Sequence, residues 1–469
     1  MKASTIAERE ARGRAARDKS KRSSHKTVGT LERDPIELLK QSSEGRVQKL
    51  VPLRYGRMAV SPFTFFRGTA NLQAHDLSKV HDSGLTMPIC GDGHLMNFGG
   101  FATPERQLVF DLNDFDEVSV GPFEWDLKRL AASLVIAARH MRLSRGAAEN
   151  LVMTAMSEYR NRMAQYAQCG ALELWYERIT FDRMAETALT PERRRAVRRG
   201  MEKAASRTHE SLFEKMAEHD GERWVIRDAP PALFHVLGSN TLFTPDETDE
   251  LKGSHGHQML DGMWSEYLKT MSHDRRELLG HFSVQDTVFK VVGVGSVGTR
   301  CMAVLLVDPI GKPLFVQIKE ARPSVIARYY KSPPVKHQGE RVVQGQRMLQ
   351  AASDILGWAT SSLGRHYYFR QLRDMKLSAS IELFDSDLLD GYARLCGWAM
   401  ARAHAKAGGQ AVEVSAYIGR GDQFAEALTA YAASYADQVE RDYDVFVKAC
   451  RSGVIEARSD EDMAADFRM

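Results

Sequence analysis

The sequence has few cysteines, no long apolar segment and no internal repeat. Its five cysteines among 469 residues are odd in number, scattered, and never spaced as Cys-x-x-Cys. This pattern argues against a disulfide framework and a zinc knuckle, and it is typical of a reducing compartment. No run approaches the roughly 20 uncharged apolar residues of a membrane span, and the first residues lack the apolar core of a signal peptide. We therefore expect a cytoplasmic protein with no membrane partner.

Positive charge is concentrated at the beginning of the chain. Residues 1–30 hold nine Lys and Arg against three acidic residues, a charge of +6, whereas the whole chain carries +3. The other residues therefore carry −3, which does not indicate a nucleic-acid-binding body. We predict that residues 1–50 form a disordered basic tail. An alternative is that this tail and the arginine-rich residues 193–199 contact nucleic acid.

The composition predicts a globular protein with a substantial core, because 43% of the residues are hydrophobic and 27% are charged. The length suits two or three domains, or one large two-lobed domain. Helical spacing of apolar residues begins near Trp125, and residues 190–192 have the form of a helix start. We predict strands at 284–292, 299–307 and Pro313–Glu320, and helices at 338–352 and 392–407.

Two acidic loops follow short apolar runs in the first third of the chain. Asp92 stands five residues before Asn97, and Asp114 and Asp116 follow in the second loop. One carboxylate can orient a hydroxyl group, while an amide oxygen and one or two further carboxylates hold Mg²⁺ beside phosphate oxygens. The residues of the second loop do not fit an EF-hand, since Phe115 and Asp116 stand where an acid or amide and a glycine are needed. Ordinary Asx turns are the alternative.

A glycine-rich segment occurs about 200 residues later. Gly293, Gly295 and Gly298 form a GxGxxG pattern, and the apolar, β-branched run that follows predicts a strand rather than a helix. The glycines are therefore expected at a hairpin between strands, where backbone N–H groups can approach phosphates, as in a kinase-type flap.

Lys319 lies in the apolar segment Pro313–Glu320, which matches the V-x-I-K strand whose lysine meets nucleotide phosphates. Lysine in an apolar strand is costly unless it is paired. Glu340, which opens the next predicted helix, is the expected partner. A solvated strand face for Lys319 is the alternative.

Taken together, these motifs resemble those of the protein-kinase-like superfamily, especially its aminoglycoside and choline kinase branch. Residues 92–97 (DGHLMN) resemble the catalytic loop H-G-D-x-H-x-x-N, with Cys90 where the family has its first histidine. Residues 114–116 (DFD) resemble the metal loop I-D-F-D, and Asp126 resembles the aspartate that braces the catalytic loop. Including residues 61–68 (SPFTFFRG), the chain more closely resembles a bacterial family, domain of unknown function 2252.

In ordinary kinases the glycine flap and the lysine precede the catalytic loop, so the resemblance implies a circularly permuted chain. The implied fold is a two-lobed α+β kinase-like fold. Residues 281–375 would form a small antiparallel-sheet nucleotide lobe, and 51–280 and 376–469 a larger, mostly helical lobe. The helix at 392–407 resembles the one that normally precedes the catalytic loop.

The resemblance implies ATP- and Mg²⁺-dependent transfer of the γ-phosphoryl group to a hydroxyl of an unidentified acceptor. Asp92 would orient the hydroxyl, Asn97 and Asp114 would hold Mg²⁺ with Asp116 assisting, and Lys319 would grip the phosphates. The alternatives are a metal-dependent phosphohydrolase using Asp92, His94 and Asp114, or a nucleotide-binding regulator without turnover. Arg67 is either a buried structural ion-pair partner or a phosphate-facing side chain.

Overall fold

The computed structural model describes residues 4–29, 31–188, 209–236, 241–242, 253–353, 355–372 and 377–467. It is an α+β protein with antiparallel sheets. The helix start predicted at 190–192 and the arginine-rich residues 193–199 lie outside the described residues. Within the described ranges, no helix has the length and apolar character needed to cross a membrane.

Helices form most of the described chain. In chain order they are Ile6–Lys19, Pro35–Ser43, Val51–Met58, Pro62–Arg67, Ala70–Leu77, Phe123–His140, Arg145–Tyr166, Ala171–Tyr176, Phe181–Ala188, His209–Met216, Gly253–Lys269, His273–Gly280, Val325–Tyr329, Gln338–Leu349, Ser386–Gly408, Ala411–Ile418, Gln423–Arg451 and Asp460–Ala464. The helices predicted at 338–352 and 392–407 are therefore confirmed, with bounds shifted by a few residues.

The strands are short and antiparallel. In chain order they are β1 (Thr86–Ile89), β2 (Phe98–Ala102), β3 (Leu108–Leu112), β4 (Ser119–Pro122), β5 (Ala217–His219), β6 (Trp224–Ile226), β7 (Leu233–Phe234), β8 (Ser283–Lys290), β9 (Cys301–Val307), β10 (Pro313–Glu320), β11 (Gly357–Thr360), β12 (His366–Gln371) and β13 (Leu377–Ser378). The three strands predicted between residues 284 and 320 are confirmed as β8, β9 and β10.

The largest sheet has the strand order β11-β12-β10-β9-β8-β7. Every residue of β9 and β10 is buried, because both faces of the sheet centre are covered. On one face Tyr267 stacks on Phe369 with ring centroids 4.3 Å apart. The edge strand β7 comes from residues that precede position 281 in the sequence. The sheet therefore includes residues outside the segment 281–375 that was predicted to form it.

The two acidic loops lie side by side because of the register of the smaller sheets. β2 pairs with β3 so that Phe98 faces Leu112, and β1 pairs with β4 so that Ile89 faces Ser119. The loop between β1 and β2 therefore begins and ends next to the loop between β3 and β4. At Gly91 (φ +79°) an added Cβ would come within 2.2 Å of the Glu117 carbonyl oxygen, so the close approach requires glycine.

The helical core surrounds the helix Phe123–His140, of which nearly every residue is buried. It packs with Arg145–Tyr166, Ser386–Gly408 and Gln423–Arg451. Two of these helices meet closely at Gly397, where an added Cβ would lie 2.2 Å from the carbonyl oxygen of Ala155.

The basic segment is folded over its described residues, contrary to the prediction of a disordered tail at 1–50. The helix Ile6–Lys19 packs against Ala411–Ile418. Arg9 and Arg12 pair with Glu413 at 2.8 and 2.7 Å, and Arg17 donates to the carbonyl of Tyr417. These acceptors stand about 400 residues away in the sequence, so the local charge pattern gave no sign of them.

Candidate active site

A cavity of about 830 Å³ lies between the central strands of the large sheet and the two acidic loops. Its lining includes seven of the residues predicted from sequence, namely Asp92, Asn97, Asp114, Asp116, Gly293, Gly295 and Lys319. Two predicted residues, Gly298 and Glu340, are not part of this lining. Segments separated by about 200 residues of sequence therefore contribute to one cavity.

Lys319 reaches the second acidic loop from the buried strand β10. Its ammonium group donates to Asp116 Oδ2 and, at 3.0 Å, to Ser296 Oγ of the glycine-rich segment. Tyr368 lies opposite Lys319 in the β10–β12 register, and its hydroxyl donates to Asp116 Oδ1 at 2.7 Å. Burial by itself would lower the pKa of Lys319, but the charge of Asp116 outweighs it and raises that pKa. Lys319 is therefore a charged side chain inside the protein.

Both carboxylate oxygens of Asp116 accept hydrogen bonds from other side chains of the protein. Burial would raise its pKa, but the charge and hydrogen bond of Lys319 hold that pKa below the usual value. Asp116 is thus the ionised partner of Lys319 and braces it, and its predicted part in holding the metal stays a prediction.

Glu340 does not provide the expected partner for Lys319. Its backbone N–H donates to His337 Nδ1 at 3.1 Å, as part of the helix N-terminus. The next residue, Arg341, points toward the site instead and donates at 2.8 Å to the carbonyl oxygens of Asp116 and Arg322. The prediction failed because the second acidic loop supplies the carboxylate from nearer than the helix does.

Asp92 is held by an arginine that sequence reasoning missed. Arg129 Nε donates to Asp92 Oδ1 at 2.7 Å, and its guanidinium lies 3.8 Å from the centre of the Phe66 ring. Burial raises the pKa of Asp92, with Arg129 opposing the shift. Arg129 lies on the buried helix Phe123–His140, where its sequence context resembles an ordinary helix face; a charged residue amid an apolar helix was the available signal.

The first acidic loop is braced from beneath, as the resemblance implied for Asp126. Its carboxylate accepts the N–H groups of Cys90 at 2.7 Å and Gly91 at 2.9 Å. His404 Nε2 lies 3.1 Å from the same carboxylate, and His404 Nδ1 lies 3.0 Å from the Tyr159 hydroxyl. A histidine from the helix Ser386–Gly408 therefore contacts the aspartate that holds the first acidic loop at Cys90 and Gly91.

The glycine-rich segment is fixed by residues that precede the acidic loops. Arg57 donates to the Gly293 carbonyl at 2.8 Å, and the N–H of Val47 donates to the Gly298 carbonyl at 2.7 Å. A Cβ added at Gly295 would lie 3.2 Å from the carbonyl oxygen of Arg67. The segment thus forms one wall of the cavity instead of an open flap.

The remaining side-chain oxygens of the site could bind Mg²⁺ together with a phosphorylated ligand. Asn97 Nδ2 donates to the Asp92 carbonyl at 2.8 Å, which leaves its Oδ1 for a ligand. Asp114 accepts the Asp116 N–H at 3.2 Å, and burial together with the Asp116 charge raises its pKa. One carboxylate and one amide oxygen beside a roomy cavity suit Mg²⁺, which commonly completes its shell with water and phosphate.

The donor set does not fit a metal held by protein side chains alone. Across the described ranges, no group of three or more His, Cys, Asp or Glu side chains is arranged to hold a metal ion. His94, which the phosphohydrolase alternative needs as a ligand, is buried and accepts the Met96 N–H at Nδ1.

Comparison with known proteins gives a family and no closer relative. No curated protein and no solved structure matches the chain. The model of the family described as an uncharacterized protein conserved in bacteria, DUF2252, matches residues 46–449. This match covers most of the chain and includes both acidic loops, the glycine-rich segment and Lys319, so the protein belongs to the DUF2252 family.

Proposed function

We propose that this protein is an ATP- and Mg²⁺-dependent phosphotransferase with a circularly permuted kinase-like arrangement. The observation that carries the proposal is the contact of Lys319 with the second acidic loop, within a cavity that Asp92, Asn97, Gly293 and Gly295 also line. A buried lysine on a sheet, a glycine-rich wall and two acidic loops are parts that recur in kinase-type phosphoryl-transfer sites.

Each part has a role that follows from its position. Lys319 presents its charge to the phosphates from inside the sheet, and Asp116 and Tyr368 fix its orientation. Asn97 and Asp114 would hold Mg²⁺, which neutralises charge on the phosphate oxygens when it is bound. Asp92, oriented by Arg129, would accept a hydrogen bond from the acceptor hydroxyl.

The proposed step conserves atoms and charge. A bond forms between the acceptor oxygen and the γ-phosphorus of ATP, while the bond from that phosphorus to the β–γ bridging oxygen breaks and ADP leaves. The hydroxyl proton passes to the carboxylate of Asp92 and from there to solvent. Positioning and electrostatic stabilisation would supply most of the rate.

A nucleotide-binding regulator without turnover is the second candidate. The observation that favours it is the 2.7 Å ion pair of Asp92 with Arg129, because a neutralised carboxylate is a weaker base. Both candidates require Mg²⁺-dependent nucleotide binding, and only the phosphotransferase produces ADP.

The deciding experiment measures the melting temperature with ATP, with Mg²⁺, and with both, followed by ADP release. A ligand that binds only the folded protein stabilises it by about 2.7 kcal/mol at 100 times its dissociation constant. Asp114→Asn should remove the Mg²⁺-dependent part of the shift. Asp437→Asn, on the surface beside Arg139, is the matched control and should keep all of it.

An unchanged melting temperature across millimolar ATP and Mg²⁺ would overturn both candidates. A normal shift without ADP release in the presence of varied hydroxyl compounds would favour the regulator.

A further inference from the structure

The cavity wall carries arginines that form no direct ion pair with any described carboxylate. Its lining includes Arg46, Arg54, Arg67, Arg322, Arg328 and Arg370. Within the part of the chain that the structure describes, none of these six guanidinium groups forms an ion pair with a carboxylate within 4.0 Å. The wall therefore holds several arginine charges that have no described carboxylate in direct contact.

Two of these arginines show how unusual the wall is. Arg54 is 1% exposed and donates to neutral acceptors, Ser43 Oγ at 2.8 Å and the Gly68 carbonyl at 2.9 Å. Its Nε, like that of Arg67, is buried without a hydrogen-bond partner. Buried charges in proteins are ordinarily paired, because an unpaired one loses its hydration without compensation. An anion that enters the cavity would compensate for this lost hydration, so these arginines favour the binding of an anion.

A bound nucleotide would neutralise the arginines at only one end of this cavity wall. Arg370 acts electrostatically on Asp114 and Asp116, so it lies at the end where the phosphates and Mg²⁺ are proposed to bind. Arg67 instead acts on Asp92, and the acidic residue with the next largest effect on it is the exposed Glu382. Arg129 already pairs with Asp92, so Arg67 is not needed to neutralise that carboxylate.

The position of Arg67 places its charge where an acceptor must bind. It ends the helix Pro62–Arg67, and its carbonyl oxygen lies against Gly295 on the glycine-rich wall. The backbone of Arg67 thus meets the glycine-rich wall, while its charge acts on the carboxylate of Asp92. Among the described residues no carboxylate forms an ion pair with Arg67 within 4.0 Å, which favours a ligand-facing side chain over a structural ion-pair partner.

We propose that the acceptor is a hydroxyl compound bearing a phosphate or carboxylate group, and that Arg67 binds that group beside Asp92. This inference rests on the proposed phosphotransferase function and names the chemical class of its acceptor. A planar guanidinium suits both anions, since each offers two oxygens to its parallel N–H groups. A cationic acceptor such as choline would face like charge at this end of the cavity.

The test uses the full chain saturated with Mg²⁺ and a non-hydrolysable ATP analogue, so that the nucleotide end is filled. Glycerol, glycerol 3-phosphate, glycerate and choline are titrated by calorimetry. We expect binding of one or both anions and none of glycerol or choline, with the phosphate and carboxylate arms distinguishing the two groups. Arg67→Gln should weaken anion binding by about tenfold or more, the usual scale for a hydrogen bond to a charged group.

Two further variants separate binding from folding. Arg67→Lys keeps the positive charge but lacks the two parallel N–H groups of the guanidinium, so it should retain part of the affinity for the anion. Arg145→Gln, whose side chain is 88% exposed, is the control and should bind the anions as the wild type does. Melting temperatures of all variants, measured without ligand, identify any loss of folding.

The inference is overturned if neither anion binds, or if folded Arg67→Gln binds it with unchanged affinity. Either outcome leaves the phosphotransferase proposal standing when the nucleotide analogue still binds. If the nucleotide analogue does not bind, the same titrations on the free protein still measure whether Arg67 binds an anion. In that case only the proposed phosphotransferase function is refuted.

Discussion

Replacing Arg402 by methionine should destabilise the protein by roughly 3–5 kcal/mol. Arg402 and Asp111 are both fully buried, and one guanidinium nitrogen lies 2.7 and 2.9 Å from the two carboxylate oxygens. Methionine has a similar volume but leaves Asp111 as an uncompensated buried charge, which is the costly way to break such a pair. The pair connects the helix Ser386–Gly408 to β3, the strand that leads into the second acidic loop.

The expected shift in melting temperature follows from chain length. An unfolding entropy of about 2.1 cal/mol/K per residue gives about 1 kcal/mol/K for 469 residues, so Arg402→Met should melt about 3–5 °C lower. Arg394→Met is the control on the same helix: its side chain is 43% exposed, and its ion pairs measure 3.7 and 3.8 Å. It should shift the melting temperature by no more than about 1 °C.

The double variant Arg402→Met with Asp111→Asn tests the cause. With no charge left unpaired, it should recover a large part of the lost stability, because coupled partners are not additive. Calorimetric melts are compared only where each variant shows a single transition. If Arg402→Met melts like Arg394→Met, or if the double variant is as unstable as the sum of the single variants, the uncompensated charge is not the cause.

Three further outcomes are expected. Asp92→Ala should keep ATP affinity while lowering phosphoryl transfer by about 10²–10⁴-fold, whereas Lys319→Ala should weaken both; calorimetry and ADP release separate the two effects, and full turnover in Asp92→Ala would refute the assigned role. Hydrogen bonding to Asp286 raises the pKa of His235, so the stability that His235 adds is fully present below its unfolded pKa of about 6.5 and is lost as pH rises through the higher folded value. The melting-temperature difference between wild type and His235→Gln should therefore shrink from pH 6 to 9, and a constant difference would contradict this linkage. Gly91→Ala should lower both the melting temperature and ATP affinity, because its Cβ would meet the opposite acidic loop; wild-type values for both would show that the two loops are not in close contact.

The sequence predicted local structure and which segments carry chemistry, because those depend on neighbouring residues. β9 and β10 were predictable as apolar runs, and Lys319 was conspicuous among them. The partner of Lys319 was not predictable, because Asp116 and Glu340 are both far from it in sequence and only the packed structure decides which is nearer. Tyr368 required the β10–β12 register, which no local pattern contains.

Residues that act through backbone contacts were harder still to predict. Arg129 and Arg341 occupy ordinary helical positions, and their importance comes from carbonyl and carboxylate groups on other segments. The prediction of a disordered basic tail was wrong for the same reason. The cations of this segment are paired with Glu413 and with carbonyl groups at the end of one helix, and these partners lie near the other end of the chain.

The docking of Ile6–Lys19 also sets where the chain can be cut. The family match ends at residues 46 and 449, but Glu413 loses Arg9 and Arg12 in a fragment trimmed to those limits. The carbonyl of Ile418 would likewise lose its donor, Arg22. The region that a family defines by sequence is here smaller than the unit that folds, and expression of this protein for biochemistry should begin from the longer one.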